Sequence, residues 1–74
     1  MKNKKAYIGL NKRHAKSFGL VKICRTLEDY ARNLFSFFRE CDELGIRTIY
    51  CDKVSEKGIG LAIMNRINKA KEGI

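Results

Sequence analysis

Apolar positions along this chain of 74 residues follow two periods. Three short runs, residues 6–10 (AYIGL), 20–24 (LVKIC) and 46–51 (IRTIYC), are rich in β-branched and aromatic side chains and predict strands, the first buried on both faces. Residues 11–19, with Lys, Asn, Ser and Gly, predict a connection. Between the second and third runs the period changes to three and four: Leu27, Tyr30, Ala31, Leu34, Phe38, Cys41 and Leu44 form one stripe. Thr26 and Asp29 give the start signal, a hydroxyl that accepts from an early amide and an acid at the positive end of the helix. Gly45 predicts a left-handed stop, so the helix should run for roughly 18 residues. Phe35 and Phe37 flank the stripe on either side, and Glu28–Arg32 and Arg39–Glu43 stand four apart on the polar face, where they can pair.

Residues 52–57 form a polar loop in which Ser55 is a candidate cap. From Gly58 onward Ile59, Ile63, Ile67, Ala70 and Ile74 share one side of a second helix, with Leu61 and Met64 roughly opposite as an exposed patch. Strand, helix, strand with short joints predicts a right-handed βαβ unit with parallel strands. The class is α/β: a small two-layer or three-layer domain of about three strands and two helices, without repeats or an internal linker.

Length limits this chain to one domain, 6–74, preceded by a basic tail, 1–5. At this size only about 60% of the unfolded surface is buried, so a partner would stabilise it. No apolar run reaches the ~20 residues needed to span a bilayer. Residues 6–10 are too short to serve as the apolar core of a signal peptide, and the expected compartment is the cytoplasm. Cys24, Cys41 and Cys51 are odd in number and lack C-x-x-C spacing, which predicts free thiols and no zinc site.

The formal net charge of +8 has a location. Lys2, Lys4, Lys5, Lys12, Arg13, Lys16, Lys22 and Arg25 stand in residues 1–25 with no acid, whereas residues 26–74 carry eight bases and eight acids. Such a segment suits nucleic acid, polyphosphate or an acidic protein face, with Lys4, Lys5, Lys12, Arg13, Lys16 and Lys22 as candidate contacts; equally, it suits a solvated surface. Tyr7, Phe18 and His14 are its only rings, few for a base-stacking platform.

Gly58-Ile59-Gly60 opens a helix after a strand, where phosphate could meet free amides, but Ile63 stands where a dinucleotide fingerprint has its third Gly. Close backbone packing is the alternative. Arg66 lies at the edge of the buried side of its helix and calls for a partner, with Asp42 the candidate. His14 has no neighbouring acid, and the chain offers neither a nucleophile with an orienting base nor closely paired carboxylates, so it is not expected to be an enzyme alone.

The blocks YARNLF (30–35), FRECDELG (38–45) and GIGLAIMNR (58–66) resemble the C-terminal domain of the longer threonylcarbamoyl-AMP synthases. That pattern, A-x-N-L-[YF], L-R-x-x-D-x-x-G and G-[LI]-G-x-A-[IV]-x-N-R-[LI]-x-[KR]-A, extends over about 45 of the 74 positions, with Phe38 and Ile67 departing mildly from it. The resemblance implies a Rossmann-like fold. It also implies a separate YrdC-like catalytic domain that makes threonylcarbamoyl-AMP from threonine, bicarbonate and ATP for tRNA threonylcarbamoyladenosine modification. The K-R-x-x-x-[KR]-P-L motif of that domain and the S-P-G-x-K-Y-R-H-Y-A-P linker are not in these residues, which contain no Pro; Lys12-Arg13-His14-Ala15 echoes the linker but follows the first strand. Transferable positions are Arg39, Asp42, Gly58, Gly60, Asn65 and Arg66. The expectation is a non-catalytic accessory domain, without a cofactor of its own, that contacts a catalytic domain in cis or in trans, another copy of itself or tRNA. A basic RNA-binding module using residues 2–25 and a nucleotide-binding regulatory domain are the alternatives.

Overall fold

The computed structural model describes residues 4–72, the side chains of residues 14, 15, 71 and 72 excepted. Lys2, Ile74 and the His14 side chain therefore lie outside the described residues. In chain order the elements are strand β1 (Lys5–Gly9), a short 3-10 helix (Lys12–Lys16), β2 (Leu20–Ile23), helix α1 (Leu27–Glu43), β3 (Thr48–Cys51) and α2 (Ile59–Glu72). The strands form one parallel sheet in the order β2-β1-β3. Lys5, expected in a tail, opens β1 and stands opposite Thr48. No helix among the described residues is long and apolar enough to cross a membrane.

The three strands, two helices and parallel pairing match the expected α/β class. In the sheet β2 and β3 do not touch, and α1 carries the chain across β1, which lies between them. Composition explains the order. The β1 run is uncharged after Lys5 and tolerates burial on both faces, whereas Lys22 in β2 and Arg47 and Thr48 around β3 suit edge positions. The chain moves one way along the sheet from β1 to β2 and the opposite way from β2 to β3, so two right-handed crossovers put the 3-10 helix and α1 on opposite faces. Side chains agree with this. Ala6 and Ile8 join the core under the helices, while Tyr7, pointing the other way, stacks on Phe18 of the first connection at 5.6 Å between centroids.

Helix α1 starts and stops where its signals stand. Thr26, extended at φ −137° and ψ 167°, accepts from the Asp29 amide at 3.0 Å, and the Asp29 carboxylate accepts in return from the Arg25 amide at 3.2 Å. At the other end Gly45, at φ 75°, donates to the Asp42 carbonyl and Ile46 to that of Cys41, the paired bonds of a Schellman stop. Tyr30, Leu34, Phe37 and Cys41 are buried, and Leu27, Ala31 and Phe38 pack beside them. Leu44 is a correction to the stripe: as the C-cap residue it turns outward and is exposed. The two flanking aromatics part company, Phe37 being 4% exposed and Phe35 53%.

The buried face of α2 is also displaced from the expected one. Gly60, Ile63, Met64 and Ile67 face inward, whereas Ile59, Leu61 and Ala70 are exposed. Met64 thus belongs to the core and not to an outward patch with Leu61. The displacement follows from Gly60, whose missing side chain lets α2 lie on the Ser55 carbonyl; a Cβ there would overlap that oxygen. Ser55 serves as this platform and not as the helix cap, since α2 begins four residues later at Ile59.

The α1 asymmetry yields a prediction. Phe37→Ala should destabilise the fold by about 3–5 kcal/mol, while Phe35→Ala should cost no more than about 1 kcal/mol. Urea unfolding followed by circular dichroism would show the first variant largely unfolded in buffer and the second close to the parent.

Candidate functional site

In an open parallel sheet, ligands meet the carboxyl ends of the strands where neighbouring connections leave on opposite faces. Here that point lies between β1 and β3, and Asp52, the residue after β3, occupies it. Its Oδ2 accepts from the Tyr7 hydroxyl at 2.7 Å and from the Leu10 amide at 2.8 Å. The Tyr7 oxygen accepts from the Asn11 amide at 3.1 Å, and Tyr30 donates its hydroxyl to the Asp52 carbonyl at 2.8 Å. Strand β1, the connection after it and α1 thus converge on one residue. Gly9 makes room for it, because a Cβ there would overlap both the Tyr7 hydroxyl and the Asp52 carboxylate.

Within this cluster the phenols hold their protons more tightly than free phenols do. Burial, followed by the hydrogen bond to Asp52, pushes the Tyr7 hydroxyl up from 10.0 to about 12. Burial, with the nearby Cys51 and Asp52, raises Tyr30 as well. Cys24 and Cys41 are free and buried, and burial raises both thiols, with Asp29 adding to the shift at Cys24 and Glu40 at Cys41. Among the described residues no three His, Cys, Asp or Glu side chains form a group able to hold a metal ion.

The sequence motif residues do not gather at one point. Gly58 turns the chain into α2 at φ 57°, and Gly60 is the close contact described above. The Gly60 and Leu61 amides donate to the Lys57 and Gly58 carbonyls at 3.0 and 3.1 Å, so these amides are occupied where the phosphate reading needs free ones. Asn65 is exposed. Arg66 and Arg39 instead converge on Phe35, their guanidinium carbons 5.7 and 5.9 Å from its ring centroid. The expected Arg66–Asp42 pair does not form, nor do Glu28–Arg32 and Arg39–Glu43. An exposed ring on α1 offers the guanidinium groups a flat partner that keeps them hydrated. Asp42 and Arg39 line a second feature, a shallow groove of about 880 Å³ between the C-terminal halves of the two helices and β3. Phe38, Ile46, Ile49 and Ile67 supply its apolar wall.

Five of the six candidate basic contacts lie around one sheet face. Lys5 shares the side of β1 that carries Tyr7, and the Lys4 stem runs against Gly19, next to Phe18. Lys12, Arg13 and Lys16 belong to the 3-10 helix that crosses this side, started by Asn11, whose Oδ1 accepts from the Arg13 amide at 2.9 Å. Lys22 departs from the group: it aligns with Ile8 and so stands on the helix side of the β2 edge. Sequence reasoning missed Asp52 and Tyr50. An acid directly after a strand of a parallel unit was the available signal for the first. The second becomes visible only once the register sets Tyr50 beside Tyr7, with Phe18 at 5.1 Å.

The parallel sheet in the order β2-β1-β3, with its two helices, defines a small Rossmann-like α/β domain. The chain belongs to the family of the threonylcarbamoyl-AMP synthase C-terminal domain, whose model matches residues 1–71. It is similar to threonylcarbamoyl-AMP synthase of Pyrococcus abyssi (strain GE5 / Orsay), 51% identical over 45 residues. That alignment takes in 61% of this chain and 13% of the relative, so the chain corresponds to a small part of that protein. No solved structure matches it.

The phenols make stability depend on alkaline pH. Because the folded Tyr7 holds its proton to about 12 and the unfolded one only to 10.0, its contribution is complete below pH 10 and is lost as pH rises toward 12. Tyr30 acts in the same direction. Urea midpoints should therefore fall between pH 10 and 12, and Tyr7→Phe should reduce that fall while lowering stability at pH 7 by about 1–2 kcal/mol.

Proposed function

We propose that this chain works as a non-catalytic accessory domain in threonylcarbamoyl-AMP synthesis, and through it in tRNA threonylcarbamoyladenosine modification, by docking a YrdC-like catalytic domain. Threonine, bicarbonate and ATP would be handled by that catalytic domain, in cis or in trans. The observation that carries the reading is the groove beside β3. Its apolar wall ends at a strand whose outer edge has no strand partner among the described residues, and Arg39 and Arg47 border it. An open edge offers backbone hydrogen bonds, the groove offers area, and its two cations, set against the one acid Asp42, favour an acidic rim. The Asp52 cluster supports this division of labour, since its strongest acceptor is spent on holding β1 and β3 together.

The test uses a YrdC-like catalytic domain that lacks its own C-terminal domain. Titrated against it, the chain should bind with micromolar or better affinity, and residues 46–51 should gain protection from hydrogen exchange. Ile49→Asp should weaken binding at least tenfold. Product formation from threonine, bicarbonate and ATP should require the catalytic domain. Heat-silent mixing at tens of micromolar, or product from the chain alone, would refute the proposal.

A further inference from the structure

The sheet face opposite the helices carries a feature that the docking reading does not use. Phe18 packs on both Tyr7 and Tyr50, its ring centroid 5.6 and 5.1 Å from theirs, and Tyr50 is 47% exposed where Tyr7 is buried. The residues around this aromatic cluster are cationic. Lys5 lies two positions before Tyr7 on the same side of β1, about 7 Å along the strand. Lys4 lies against Gly19 beside Phe18, and the 3-10 helix brings Arg13 and Lys16 one turn apart, so that they project alike.

Acids are placed elsewhere. Glu28, Asp29, Glu40, Asp42 and Glu43 are on α1, Glu72 is on α2, and Glu56 is in the loop between β3 and α2. The remaining acid, Asp52, has its Oδ2 engaged by Tyr7 and Leu10. The fold therefore converts the charge asymmetry along the chain into an asymmetry between two layers, and it sets an exposed ring within the positive one. Cations alone would suit any polyanion. The exposed Tyr50 ring among them suits a polyanion whose monomers carry flat rings, since every unpaired base has a face to stack and its phosphates lie on either side.

We propose that this face binds single-stranded nucleic acid, with an unpaired base stacked on Tyr50 and the flanking phosphates neutralised by Lys4, Lys5, Arg13 and Lys16. Tyr50 also stands at the rim of the groove, but the proposal concerns the outer face and needs no protein partner. Its failure would leave the docking proposal intact.

The probe is a fluorescein-labelled twelve-nucleotide oligoadenylate, titrated with the full chain and followed by anisotropy. Binding is expected at 50 mM salt, with log K falling against log salt at a slope near −3, the value for about four phosphates on a single strand. An abasic twelve-mer should bind about tenfold more weakly. Tyr50→Ala should lose about tenfold for oligoadenylate and nothing for the abasic strand, whereas Tyr50→Phe should retain parental affinity. Lys4→Gln with Lys5→Gln should flatten the slope by roughly 1.4. Equal affinity of the parent chain for the abasic and adenylate strands, measured without any variant, would overturn the proposal. So would no binding at 50 mM salt, or a folded Tyr50→Ala that binds oligoadenylate as the parent does.

Discussion

Everything in this domain is arranged around the burial of β1. Five residues long, it pairs on both edges and is covered on both faces, by the helices over Ala6 and Ile8 and by Phe18 over Tyr7. A parallel strand cannot be reached by a tight turn, so burying β1 requires two crossovers. The same requirement decides which face receives α1 and which receives the short 3-10 helix. One face becomes a conventional apolar interior. The other is too thinly covered for that, and polar and cationic groups share it with the rings.

The Asp52 cluster complements that arrangement at the carboxyl ends of the strands. Strand ends in an open sheet tend to fray, because the last backbone groups lack partners. Here one carboxylate receives both the Tyr7 hydroxyl and the first amide beyond β1, while the carbonyl of the same residue receives Tyr30 from α1. Sheet, loop and helix are thereby fixed to a single residue in a molecule only 16 Å thick along its short axis. In Rossmann-like domains this crevice commonly receives a ligand. In this chain the Asp52 carboxylate at that place accepts from the Tyr7 hydroxyl and the Leu10 amide.

Local signals were legible in the sequence to the extent that they act locally. Thr26, Asp29 and Gly45 bound α1 because a cap satisfies amides and carbonyls within one turn of itself. The buried side of α2 was not legible from its isoleucines, because the contact between Gly60 and Ser55 rotates the helix and brings Met64 inward. Phe35 and Phe37 flank one stripe symmetrically, and only the placement of neighbouring elements separates them. Strand order is likewise non-local: the pattern predicts three strands but says nothing of β1 coming between the other two. Tyr7 and Asp52 are 45 residues apart, and no spacing rule relates them. The convergence of Arg39 and Arg66 on Phe35 depends on how two helices meet, which no motif along either one encodes.

The cations that bracket β3 have a consequence for the company this domain can keep. Arg47 precedes the strand and Lys53 follows it by two residues, so two copies meeting edge to edge would oppose like charges in either orientation. A parallel pairing sets Arg47 beside Arg47, and an antiparallel one sets Arg47 beside Lys53. Like charges flanking an open strand are one way in which sheet proteins oppose the edge-to-edge pairing that seeds aggregation.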